Sequence, residues 1–228
     1  MKQPLLLLHG AISSCRQFDM LLPFLNDRFE VHVLNFPGHG GTEIPEQPFS
    51  IPYFASSVLD YLDQEKISSV DIFGYSMGGY VALYLAAYHA GRVKKIFTLA
   101  TKMEWTRQIA EKEAAHLNPG KISEKVPAFA ALLERTHHPQ SWEKVVGQTA
   151  AMLLQLGNSP VLVKNNFREI EIPVLIAIGD EDKMVSYEES KNAAASLKNG
   201  QLLLMPSTPH PFEKVNHSLL SDYINSFF

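Results

Sequence analysis

A single cysteine, Cys15, stands among 228 residues, so no intrachain disulfide can form. Nothing in the chain calls for an oxidising compartment, and a reduced cytosol is the expected location. Long hydrophobic runs are missing too. The start, MKQPLLLLHG, holds four leucines in a row, well short of the roughly 7 to 15 apolar residues of a signal-peptide core or the roughly 20 of a membrane span. Residues 5–8 read as a buried strand instead. A basic excess is also absent: 20 Lys and Arg stand against 24 Asp and Glu, for a net charge of −4. That removes the broad positive surface nucleic acids need. Gly38, Gly40 and Gly41 form no GxxxxGK[ST] or GxGxxG, so they do not make a nucleotide loop. His116, His137 and His138 have no carboxylate or cysteine at ligand spacing, so no metal is expected and they read as surface or pocket residues. Internal repeats and low-complexity tracts are lacking as well.

What remains is a chain of ordinary globular composition, 46% hydrophobic and 19% charged, long enough for one large core. Short apolar runs fall at residues 5–8, 31–35, 70–73, 96–100, 174–178 and 202–205. Most end in glycine, proline or a small polar residue, as strands buried on both faces do. Helical patterns separate them. Ser50 caps a helix carrying Pro52 in its first turn, Ser186 and Glu189 form a capping-box pair, and Val215, Leu219, Leu220 and Ile224 trace a last apolar stripe. Alternation of this kind predicts an α/β fold, a mostly parallel sheet of about six strands with helices on both faces. Residues 102–168 break the rhythm. They hold no convincing strand, and an interval that long between two strands predicts an inserted helical cap. The expected division is a core of residues 1–101 and 169–228 and a cap of residues 102–168.

Residues 74–78, GYSMG, place Ser76 between a predicted strand and a predicted helix, the setting in which GxSxG marks a sharp turn that exposes a serine hydroxyl. Gly74, Gly78 and Gly79 permit close approach there, and the amides at the helix start favour developing negative charge. A serine is a weak nucleophile unless a base takes its proton and a third group orients the base. Both follow later in the chain, at strand ends. The run VLIAIGDEDKMV delivers Asp180, Glu181 and Asp182, and LLLMPSTPHPF delivers His210.

The order Ser, Asp, His resembles that of the α/β-hydrolases. FGYSMGGY is similar to their nucleophile elbow, LLLLHGA to their oxyanion loop, NFPGHGGT to their DxPGHGxS turn, GDEDKMV to their GxxDxxV acid motif, and PSTPHPF takes the place of their GH motif. The resemblance implies Ser76 as nucleophile, His210 as base and Asp182 as acid, with Asp180 the weaker choice. It also implies an oxyanion hole of the Ala11 and Met77 amides. Three departures stand out: the customary leading antiparallel strands are missing, Asn35 replaces an aspartate, and Pro209 and Pro211 flank the histidine. A structural role in hydrogen bonding is expected for His9 and His39.

These residues imply hydrolysis of a carboxylic ester of a small or medium, weakly charged substrate through an acyl-enzyme, with no cofactor. Trp105, Phe129 and Trp142 are the candidate substrate contacts in the cap, with cap core as their alternative role. A thioesterase, a carbon–carbon bond hydrolase or a cofactor-free perhydrolase would use the same triad. Enzymes of menaquinone synthesis share SMGG but usually carry arginine where Tyr80 stands. A small-molecule receptor on the same fold is the rival of another class.

Overall fold

Each apolar run read as a strand forms one, and the alternation of side chains along it explains why the run is continuous. The structure, a computed structural model, describes residues 2–228. In chain order its elements are β1 (Gln3–Leu8), β2 (Phe29–Val33), α1 (Ile51–Gln64), β3 (Val70–Tyr75), α2 (Met77–Tyr88), β4 (Val93–Leu99), α3 (Arg107–His116), α4 (Pro119–Lys125), α5 (Pro127–His137), α6 (Trp142–Asn158), α7 (Lys164–Glu169), β5 (Val174–Gly179), α8 (Tyr187–Ser196), β6 (Gly200–Met205) and α9 (His217–Phe227). The six strands form one sheet in the order β2-β1-β3-β4-β5-β6, and every pairing is parallel. Leu5, Leu7, Phe73, Phe97 and Leu99 face one side, where Leu220 and Ile224 of α9 cover them. Leu6, Leu8, Ile72, Ile96 and Ile176 face the other, against α1, α2 and α8. Each such side chain, once buried, contributes about 1.5–3 kcal/mol, so both faces of the central strands are predominantly apolar, with Asp71 of β3 and Thr98 of β4 as buried polar exceptions.

The helices begin where short polar side chains satisfy free amides. Ser50 Oγ accepts from the Tyr53 amide at 3.2 Å, and Ser186 Oγ accepts from the Glu189 amide at 3.1 Å. The expected capping box stops halfway. The Glu189 carboxylate instead accepts from the amides of Met103 and Glu104, at 2.6 and 2.8 Å. Two amides of the segment after β4 offer it more than the single amide at its own helix start.

Strand order reverses beside β1: the chain first adds β2 on one side, then crosses to add β3 on the other. Loops leaving the carboxyl ends of β1 and β3 therefore diverge, and such a switch point is where an open α/β sheet forms its crevice. Helices α3 to α6 enter between β4 and β5, which are sheet neighbours. Helix α7 packs on α2 and α8, with the helices that flank the sheet. No helix among the described residues is long and apolar enough to cross a membrane.

Candidate active site

Ser76 sits between β3 and α2 with φ 50° and ψ −117°, a conformation that costs a non-glycine residue on the order of 1–3 kcal/mol and persists only where its surroundings hold it. The hold is visible. The Ser76 amide donates to the Leu99 carbonyl at 2.8 Å, and the Ser76 carbonyl accepts from the Thr101 hydroxyl at 3.0 Å. Two glycines make the approach possible. A Cβ at Gly78 would lie 2.1 Å from the Leu8 carbonyl oxygen, and one at Gly74 would lie 2.5 Å from the Gly79 Cα. Although Ser76 occupies the N-cap position of α2, its hydroxyl does not cap the helix.

Loops after β5 and β6 bring the other two residues together. His210 Nδ1 lies 2.8 Å from Asp182 Oδ2. That carboxylate cannot donate, so Nδ1 carries the proton and Nε2 is left as the acceptor. Asp182 Oδ1 accepts from the amides of Met184 and Val185, at 2.8 and 2.9 Å. Burial alone would raise the Asp182 pKa, but the bond and charge of His210 and these two amides outweigh it and hold the carboxyl below its ordinary value. Asp180 does something different: its Oδ1 accepts from the Thr208 amide at 3.1 Å and braces the loop that carries His210. The flanking prolines are compatible with the pair, because the backbone is anchored elsewhere. The Tyr75 hydroxyl donates to the His210 carbonyl at 2.5 Å.

Ser76, His210, Ala11 and Met77 all line one cavity of about 440 Å³. The Ala11 and Met77 amides have no backbone acceptor among the described residues, so both are available to a ligand. Trp105 and Phe129 line the same cavity. Trp142 does not; it packs with Ile122, Leu133 and Val146 in a separate apolar cluster. Lys102 reaches the wall with its ammonium 2.7 Å from the Met184 carbonyl and 3.6 and 3.8 Å from the carboxylates of Glu113 and Glu189.

Behind the cavity three imidazoles meet. His9 Nε2 accepts from the Phe36 amide at 3.1 Å, and Nδ1 contacts the Gly10 carbonyl at 2.8 Å. His39 stands 5.3 Å from His9 and 5.9 Å from His137, between ring centroids. All three are fully buried. Burial lowers the His9 pKa to about 4 and pushes His39 and His137 down as well. For His137 this corrects the sequence reading of a surface or pocket residue, while His138 is exposed and His116 lines the cavity. Asn35, the unusual residue before the PGHG turn, accepts from the Cys15 amide at 2.7 Å and so ties that turn to the loop after β1. Tyr75 is missed by the sequence reading, which weighs Asp180 only as the weaker choice of acid and His137 only as a surface or pocket residue. Tyr75 and Asp180 flank motif positions in the chain, whereas nothing in the spacing around His137 marks it.

Comparison with known proteins gives the family and the fold. The family model described as "alpha/beta hydrolase fold" matches residues 3–149. A pimeloyl-[acyl-carrier protein] methyl ester esterase of Neisseria meningitidis serogroup C is 28% identical, over 90% of this chain and 86% of its own. Among solved structures, the enol-lactonase from Burkholderia xenovorans LB400 superimposes with a TM-score of 0.80 at 17% identity, covering 100% of this chain and 91% of that one. MenH from S. aureus does so with a TM-score of 0.77 at 23% identity, covering 99% and 92%. The chain belongs to the α/β-hydrolase family and is a hydrolase.

Proposed function

We propose that the protein is a serine esterase that cleaves a carboxylic ester of a small or medium, weakly charged substrate through an acyl-enzyme. One observation carries this reading: the Asp182–His210 pair, joined at 2.8 Å, opens onto the same cavity as the strained Ser76 and two unengaged amides. In the first half-reaction Ser76 Oγ attacks the ester carbonyl and its proton passes to His210 Nε2. The Ala11 and Met77 amides receive the charge on the carbonyl oxygen, a term of order 3 kcal/mol for each donor. The carbon–oxygen bond to the alcohol then breaks, the alcohol leaves with the proton held by His210, and the acyl group stays on Ser76. Water, deprotonated by His210, releases the acid and restores the serine. Asp182 keeps the imidazole in its tautomer throughout.

The substrate class rests on the wall and on the relatives. Helices α3 to α6 act as a cap in this reading, and Trp105 and Phe129 offer apolar contact to an acyl group. Lys102 is already engaged by one carbonyl and flanked by two carboxylates, so little positive charge remains for an anionic tail. A methyl ester at the end of a medium-length chain, as in the name of the neisserial relative, fits a cavity of about 440 Å³. A single cysteine favours action in a reducing cytosol.

The test is a series of p-nitrophenyl esters from acetate to decanoate. Wild-type protein should turn over part of that series, and Ser76→Ala should lose at least about 10⁴-fold in kcat. Absence of turnover at every chain length, or an unchanged rate in Ser76→Ala, would overturn the reading.

A further inference from the structure

His137 is the last residue of α5, and both of its ring nitrogens are used. Nδ1 accepts from the Gly40 amide at 3.1 Å. An acceptor at Nδ1 puts the ring proton on Nε2, which therefore donates to the Ile12 carbonyl, also at 3.1 Å. One fully buried imidazole thus joins a helix inserted after β4, the turn after β2 and the loop after β1. Burial keeps it neutral, which this donor–acceptor arrangement requires.

What it grips is strained. Ile12 has φ 52°, and a β-branched residue with positive φ is an outlier that its surroundings must enforce. Ala11 precedes it, and the other side of Ala11 is fixed independently: the Gly10 amide donates to Gln17 Oε1 at 2.9 Å. The loop is pinned at Gly10 from within the sheet domain and at Ile12 from α5. That same helix presents Phe129, Leu132, Leu133 and Thr136 to the cavity.

We propose that His137 is a positioning residue that holds the Ala11 amide where the oxyanion of the reaction forms, making α5 both a wall of the acyl cavity and a support of the oxyanion loop. The inference rests on the esterase reading above. A preorganised donor is worth most when its supporting groups fix it, and displacement by about 1 Å costs on the order of 10²-fold in rate.

Three substitutions separate the two bonds. His137→Phe keeps the ring and removes both. His137→Gln extends an amide to the Nε2 position and can still reach Ile12. His137→Asn reaches only the Nδ1 position and can serve only Gly40. With p-nitrophenyl butyrate we expect His137→Phe and His137→Asn to lose about 10- to 100-fold in kcat with KM changed less than about twofold, and His137→Gln to stay within about threefold of wild type. Amide hydrogen exchange gives a readout that needs no turnover: exchange in residues 9–14 should accelerate in the Phe and Asn variants while residues 70–88 keep their protection. Equal losses in Gln and Asn, or wild-type exchange across residues 9–14 in His137→Phe, would overturn the role. A wild-type protein inert towards every ester would instead remove the esterase reading and leave the exchange experiment to decide the loop's support.

Discussion

The strand-end loops and the inserted helices solve opposite problems. At the strand ends the polar groups around His210 have assigned partners: Asp182 holds His210 and two amides, Asp180 holds Thr208, and Tyr75 holds the His210 carbonyl. In the inserted region the helices are mostly short, and large apolar side chains stay in contact with solvent, among them Val126 at 48%, Phe129 at 39% and Leu132 at 48% exposure. Charge divides the same way. Residues 102–168 carry nine Lys and Arg against six Asp and Glu, while the rest of the chain carries eleven against eighteen. Chemistry needs fixed geometry, and the loops of a parallel sheet supply it. Much of the cavity wall comes from the inserted helices, which supply Phe129, Leu132, Leu133 and Leu156 to it. Substitutions in the first region should change kcat across all substrates, and substitutions at the cavity-lining side chains of the second, as distinct from His137, should change which substrates are used.

The sharpest break of that comparison comes from two aspartates two residues apart. Asp182→Asn should lower kcat by about 10³- to 10⁴-fold, because an amide can donate to Nδ1 and favour the wrong imidazole tautomer. Asp180→Asn keeps an oxygen that can still accept from the Thr208 amide, so its loss should stay within about tenfold. Steady-state rates of the two variants on one ester decide it. The reverse ranking would move the acid to Asp180.

How far these roles could be read from the chain depends on how local their causes are. Ser76 was legible because its backbone needs glycines at fixed offsets, and steric exclusion at Gly74 and Gly78 is written within five residues. The strands were legible because burial on both faces leaves few polar positions, Asp71 and Thr98 among them, although β3 runs on to Tyr75 where sequence suggested Phe73. Pairing with β4 ends that strand, not a change in residue type. Glu189 and His137 were opaque for the converse reason. An amphipathic helix shows that one face is covered but not by what, and their partners lie 85 or more positions away. Trp142 shows the same limit: its size and apolarity suit a cavity wall and a helix-packing core equally, and its neighbours on α4 and α5 place it in the latter.

The buried imidazoles join the two regions, and pH can separate them. His9 titrates near 6.5 in an unfolded chain but at about 4 when folded, so the unfolded state binds more protons between those values. Its contribution is complete above about pH 6.5 and is lost as pH falls towards 4. At pH 5 the loss from His9 alone is about 2 kcal/mol, and His39 and His137, shifted in the same direction, add to it. Asp182, held low, acts in a lower window, its contribution vanishing only as pH falls below the ordinary carboxylate range. Urea unfolding at pH 7.5 and pH 5 should therefore show a marked drop. A flat profile would mean that the three rings are hydrated rather than sealed between loop and helix.

The smallest expected effect is the most direct probe of the second region. Phe129 lines the cavity but is 39% exposed, so its removal leaves little void and should cost the fold little. Its contact with a bound chain is another matter. Losing part of an apolar contact worth about 1 kcal/mol changes kcat/KM about fivefold, and only for acyl groups long enough to reach α5. Phe129→Ala should thus lower kcat/KM for the octanoate and decanoate esters about fivefold while leaving acetate unchanged. Measured as a ratio within one enzyme preparation, the effect is independent of the amount of active protein. A uniform decline across the series would place Phe129 with the groups that hold the chemistry, and the division between strand-end loops and cavity-lining helices would fail at that residue.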